Sequence, residues 1–137
     1  MITQKYLNDL TYNIIGAAIE VHRILGPGLL ESVYHKCFKS ELFERNLNYK
    51  SEMYVPLAYK KLNLETELRL DLLVEDQIAV ELKAIEAIHP LHEAQLMTYM
   101  RILDIPKGIL INFNCTNIFK EGQRTRVNEI FTTLPKL

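Results

Sequence analysis

Three residues near the middle of the chain have the types and spacing to do chemistry: Asp71, Glu81 and Lys83. Two carboxylates are hard oxygen ligands of the kind Mg²⁺ prefers, with water and phosphate filling its remaining positions. A lysine two residues beyond the second acid can orient a water or stabilise charge on a phosphate. Taken alone, D-x9-E-x-K is common, so the case rests on whether the chain brings the three together. The segment Arg69-Leu70-Asp71-Leu72-Leu73-Val74 faces Ile78-Ala79-Val80-Glu81-Leu82-Lys83 across Glu75-Asp76-Gln77. Strand side chains alternate between faces, so the apolar residues set the register. Leu70, Leu72 and Val74 fall on one face, opposite Leu82, Val80 and Ile78, with Val74 paired to Ile78. That register puts Asp71 across from Glu81 and Arg69 across from Lys83. Two acids side by side repel, and a divalent cation would offset the repulsion.

Two helices are expected to complete such a site. The one after Pro90 carries His92, Gln95 and Tyr99 at i, i+3 and i+7, on one face. Leu96, Met97, Met100 and Leu103 form an apolar face that can pack on a sheet. An amide and a phenol on the polar stripe suit a phosphate or a water. Glu31 and Tyr34 lie near the start of an earlier helix, where an acid is also favoured by the helix dipole. His89-Pro90-Leu91-His92 makes a poor zinc site, because proline separates the histidines and no thiolate is near. Gly26-Pro27-Gly28 lacks the lysine and hydroxyl of a P-loop. Cys37 and Cys115 read as small buried side chains, and His22 and His35 as helix surface.

The positioning elements follow from periodicity. Apolar residues at Leu7, Leu10, Ile14, Ala17, Ala18, Val21 and Leu25 predict a helix over Tyr6 to Leu25, stopped by Gly26-Pro27-Gly28. A second helix is expected from Leu30 to Arg45. The period then shifts toward two around Tyr54 to Tyr59, with a turn at Lys60-Lys61-Leu62-Asn63. A hairpin over Leu64 to Ala84, a helix to about Leu103, a buried strand from Lys107 to Phe113 and a short one over Thr125 to Ile130 complete the chain. The order ααβββαββ predicts an α/β (α+β) domain spanning 1–137, a mixed sheet flanked by helices.

Composition narrows the setting. Hydrophobic residues make up 48% and charged residues 24%, which suits a globular chain rather than a disordered one. No apolar run reaches the ~20 residues of a membrane helix, and the N-terminus lacks signal-peptide features. With only two cysteines, a reducing cytoplasmic setting is expected. The net charge of −1 offers no general attraction for nucleic acid, so any such site must be local. Lys120, Arg124 and Arg126 are candidate phosphate contacts.

These residues resemble a known family. Gly28-Leu29-Leu30-Glu31-Ser32-Val33-Tyr34 matches the GxxExxY pattern of a group of small bacterial and archaeal proteins. The likeness continues through Asp71-Leu72-Leu73-Val74, Glu81-Leu82-Lys83, His92-Glu93-Ala94-Gln95-Leu96 and Gly108-Ile109-Leu110-Ile111-Asn112-Phe113, covering roughly residues 10 to 128. That family is similar to the PD-(D/E)XK nuclease superfamily, although Leu70 stands where the superfamily's name has proline. The resemblance implies a restriction-endonuclease-like fold, metal ligation by Asp71 and Glu81, and Lys83 as the catalytic lysine. It further implies that Glu31 is an added acidic residue, reaching the metal directly or through water, and that Gln95-Leu96-Met97-Thr98-Tyr99 is a Q-x-x-x-Y element positioning substrate.

The expectation is therefore a Mg²⁺- or Mn²⁺-dependent phosphodiester hydrolase acting on DNA or RNA, as a homodimer, since symmetric dimers are the commonest assembly. Two competitors are a silent nuclease-fold module that binds nucleic acid or protein without cutting, and a hydrolase of another phosphate ester.

Overall fold

The computed structural model describes residues 1–64 and 67–137. The start of the expected hairpin at Glu65 and Thr66 lies outside the described residues. Helix α1 spans Gln4–Leu25 and α2 spans Glu31–Glu44. Strand β1 (Tyr49–Tyr54) is followed by a small hairpin of β2 (Ala58–Tyr59) and β3 (Leu62–Asn63). Then come β4 (Arg69–Val74), β5 (Ile78–Lys83), α3 (Pro90–Leu103), β6 (Lys107–Asn112), a π-helical turn (Ile118–Gly122), β7 (Gln123–Val127) and α4 (Glu129–Thr133).

Five strands form one mixed sheet in the order β1-β4-β5-β6-β7, with β5 and β6 parallel and the other neighbours antiparallel. The mixed α/β architecture is the expected restriction-endonuclease-like one, with differences at the edges. The first sheet strand starts earlier and ends at Tyr54, with Tyr49, Ser51 and Met53 as its partly buried residues. Lys60 and Lys61 turn the separate β2–β3 hairpin, with Lys60 at a φ of 54°. The final strand ends at Val127. Asn128 then caps α4 by accepting the Ile130 N–H, where the pattern alone had continued the strand.

Two cores sandwich the sheet. Leu7, Leu10, Ile14, Tyr34, Phe38 and Leu42 of α1 and α2 pack on Leu72, Val74, Ile78, Val80, Leu82, Ile109 and Ile111. On the other face, Leu96, Tyr99 and Met100 of α3 pack on Leu70, Leu73, Ala79 and Leu110. Fully burying each such large side chain contributes about 1.5–3 kcal/mol, so the helices are firmly held over the sheet. Gly108 is what lets α3 approach β6. A Cβ there would lie 2.7 Å from the Met100 sulfur and 2.9 Å from Leu96.

Candidate active site

The β4–β5 hairpin closes through Glu75 and Asp76, both left-handed (φ 52° and 56°), with the Gln77 N–H donating to Val74 O at 3.0 Å. Positive φ at both central residues is what a type I′ turn requires. Val74 pairs with Ile78, Leu73 with Ala79 and Leu72 with Val80, the register the apolar residues require. One residue further the ladder ends. Where Asp71 would meet Glu81, side chains take over. The Asp71 N–H donates to Glu81 Oε1 at 3.0 Å, and the Leu82 N–H donates to Asp71 Oδ2 at 2.8 Å. Each acid thus satisfies a main-chain amide across the gap. Buried amides need partners, so these bonds replace the ladder.

The other edge of β4 is interrupted at the same point. Ser51 pairs with Leu72 and Met53 with Leu70, but Glu52, opposite Asp71, has a φ of 52° and makes no ladder pair. The expectation for Leu70 is corrected here. It packs in the α3-side core rather than sharing a face with Leu72 and Val74, because the distortion at Asp71 breaks the alternation. Arg69 likewise pairs with Tyr54 rather than facing Lys83. Beyond Val80, β5 runs along β6 alone, with Glu81 beside Leu110 and Lys83 beside Asn112.

Glu81 is only 5% exposed. Burial, followed by the neighbouring Asp71 carboxylate, pushes its carboxyl up to about 8, against the lowering effect of the Asp71 N–H and Lys83. Asp71 and Lys83 are half-buried. Glu31, at the first turn of α2, is exposed as a residue. Even so, burial of its carboxyl and then Asp71 raise it, while Lys83 lowers it. Glu31, Asp71, Glu81 and Lys83 therefore share one electrostatic environment. Lys83 makes no ion pair within 4 Å among the described residues, which leaves its ammonium available.

Tyr99 differs from its expected place on a polar stripe. It is 3% exposed and belongs to the α3-side core. Burial, then Glu81 and Asp71, raise its phenol, so the ring packs while the hydroxyl senses both acids. Gln95 is exposed, and its side chain makes no hydrogen bond among the described residues. His92 accepts the His89 N–H through Nδ1 at 3.0 Å, closing the start of α3. Burial and then Lys83 lower its imidazole.

Two residues escaped the sequence reading. His35 is half-buried, its Nε2 3.3 Å from Ser51 Oγ, and its imidazole is lowered by burial and raised by Asp71. Its position four residues after Glu31 was the available signal. Asn112 is buried beside Lys83: its Oδ1 accepts from the N–H groups of Ile85 (3.0 Å) and Asn114 (3.2 Å), and its Nδ2 donates to Ile85 O (3.0 Å). With Phe113 N–H donating to Lys83 O at 2.9 Å, this clamps the chain on both sides of Lys83.

The GxxExxY segment also gains a physical explanation. Tyr34 is fully buried and stacked on Phe113, ring centroids 4.5 Å apart. Its hydroxyl donates to Gly26 O at 2.5 Å and accepts from Leu29 N–H at 3.2 Å. Gly28, at φ 99°, supplies a turn that a side chain would strain. The tyrosine thus latches the loop that delivers Glu31.

A model of the PD-(D/E)XK nuclease superfamily matches residues 8–125. The chain belongs to that superfamily. No curated protein and no solved structure matches it detectably. As in other PD-(D/E)XK proteins, a divalent metal is the implied cofactor, and the donor set fits one. Beyond the amides held by Glu81 Oε1 and Asp71 Oδ2, the two carboxyls lie within hydrogen-bonding reach of each other. Neither carries a sealed, unsatisfied oxygen among the described residues. Among the described residues no group of three or more His, Cys, Asp or Glu side chains forms a ready-made cage. Two carboxylates with water and phosphate completing the shell is the usual Mg²⁺ arrangement. Among the described residues no helix is long and apolar enough to cross a membrane.

Proposed function

We propose that this superfamily member is a metal-dependent phosphodiesterase acting on nucleic acid, with Asp71 and Glu81 holding Mg²⁺ or Mn²⁺. The observation that carries the reading is the pair of reciprocal carboxylate–amide bonds where the β4–β5 ladder opens. They fix one oxygen of each acid and hold the two carboxyls against each other, where a cation would take the place of a proton. When bound, the ion would neutralise phosphate charge and acidify a water. Glu81 gives up its proton to ligate, since burial and Asp71 otherwise hold that proton on. Lys83 holds its ammonium beside the acids, where it orients the attacking water and balances charge on the phosphate. Glu31 joins the acidic set from α2. The Tyr99 hydroxyl and Gln95 line the α3 side, where they position the phosphate path.

Within the superfamily, Gly28, Glu31 and Tyr34 support placement in the GxxExxY group. The test is cleavage of labelled single- and double-stranded DNA and RNA in Mg²⁺, Mn²⁺ or EDTA, with Asp71→Ala beside the wild type. Metal-dependent cutting by the wild type alone is expected. If neither protein cuts, or both cut alike, a silent binding module is the better reading.

A further inference from the structure

The distortion at Asp71 reorganises the surface around it. Tyr49 of β1 packs in the α1–α2 core, whereas Met53 packs in the α3-side core. Leu72 and Leu70 of β4 divide the same way. Both strands therefore exchange faces between Ser51–Leu72 and Met53–Leu70. Tyr54 and Arg69 follow Met53 and precede Leu70, and they pair with each other. By alternation they project on the α2 side.

Helix α2 carries His35 and Lys39 there, four and eight residues after Glu31, and so on Glu31's own face. The His35–Ser51 contact of 3.3 Å ties that face of the helix to β1. Lys39 makes no ion pair within 4 Å among the described residues, and Arg69 has only a long one, 3.9 Å to Glu52. Tyr54 is 53% exposed. An unpaired Lys39, a loosely paired Arg69 and an open aromatic ring thus gather around His35, which itself senses Asp71.

The other basic group is differently placed. Arg124 donates to the carbonyls of Glu121 and Gln123, and Arg126 to Thr125 O and Glu93. Both stand on β7, two strands away from β5 and three from β4. Arg124 and Arg126 thus already hold partners and stand away from β4.

We propose that the α2-side surface formed by His35, Lys39, Tyr54 and Arg69 is a track for one single strand of nucleic acid leading to the Asp71–Glu81 centre. Arg69, Lys39 and His35 contact phosphates, and Tyr54 stacks on a base. A duplex hides its base faces, so an exposed ring selects a single strand, whereas cations alone would not. The inference rests on the nuclease reading and adds the substrate's form and path.

The experiment is fluorescence-anisotropy binding of a labelled single-stranded oligonucleotide and its duplex, in Ca²⁺ over a range of salt. Wild type, Tyr54→Ala, Tyr54→Phe, the Lys39→Ala/Arg69→Ala double variant and Arg124→Ala are compared, and wild-type cleavage is measured in parallel in Mg²⁺. The wild type should prefer the single strand. Tyr54→Ala should weaken that complex about 10-fold, and Tyr54→Phe should keep it, because the stacking face is retained. The double variant should lower the salt slope by roughly 1.4, for two phosphate contacts on a single strand. Arg124→Ala should bind as the wild type does. Wild-type cleavage with unchanged binding by the Tyr54 and double variants, or a slope lost only in Arg124→Ala, overturns the track and leaves the nuclease standing. A wild type that neither binds nor cuts overturns both.

Discussion

The β4–β5 hairpin has two halves built from the same two strands. From Leu72–Val80 to the turn, the strands pair and their side chains are apolar on both faces. At Asp71–Glu81 they part, and carboxylates take the amides that a ladder would have taken. The main chain's hydrogen-bond demand is met in both halves. Only the open half places two acids and a lysine beside a gap. The difference shows how a sheet makes a site at little backbone cost, by letting functional side chains stand in for the missing ladder.

Substitutions should separate the halves. Asp71→Asn keeps the size and an acceptor for the Leu82 N–H but removes the ligating charge. Cleavage should fall by about 10²–10³-fold, a typical cost of losing a transition-state group, with stability changed by about 1 kcal/mol or less. A kinetic assay run beside chemical denaturation reads both. Leu72→Ala in the closed half should do the reverse. A buried leucine truncated to alanine costs about 2–5 kcal/mol, while kcat of the folded fraction stays near wild type. An equal loss of activity in Leu72→Ala would erase the distinction.

The pH dependence sharpens it further. Glu81 takes up its proton at about 8 in the folded chain, against an ordinary value of 4.5. Between those values the folded state holds a proton that the unfolded chain has released. The metal-free protein should therefore lose stability as pH rises through that window and level off above it. Mn²⁺ should oppose the loss by favouring the ionised carboxylate, and Glu81→Gln should flatten the profile. Thermal melts across pH, with and without Mn²⁺, measure this. A profile in Glu81→Gln as steep as the wild type's would show that another group titrates.

Asn112→Ala should have a smaller effect. It releases Ile85 and Asn114 rather than any group at the carboxylates, so kcat should drop about 10-fold with little change in KM, as for supporting residues behind a metal site. Combined with Lys83→Met, it should add nothing further if it acts through the lysine. Multiplying effects in the steady-state rates would assign it a separate role.

Much of this was legible in the sequence because burial on both faces leaves strong patterns. Val74 and Ile78 set the register, Gly108 to Asn112 reads as a buried strand, and Pro90 marks the start of α3. The switch of Leu70 to the other core was not legible. It depends on a left-handed Glu52, a residue with no glycine-like signature, and on carboxylates accepting amides from distant strands. Tyr99 was grouped with Gln95 by helical spacing, but the width of the α3 contact with the sheet draws its ring into the core. His35 was hidden because its importance arises only when β1 and β4 pass beneath α2. Asn112 looked like the end of a strand, since its three hydrogen bonds reach a loop with no sequence pattern.

The most direct test of the open half as a metal centre is calorimetric titration of Mn²⁺ into wild type, Asp71→Asn and Glu81→Gln near pH 8. Saturable binding by the wild type, with uptake lost in both variants, is the expected result. Equal binding by all three would place the metal elsewhere and contradict the assignment of Asp71 and Glu81.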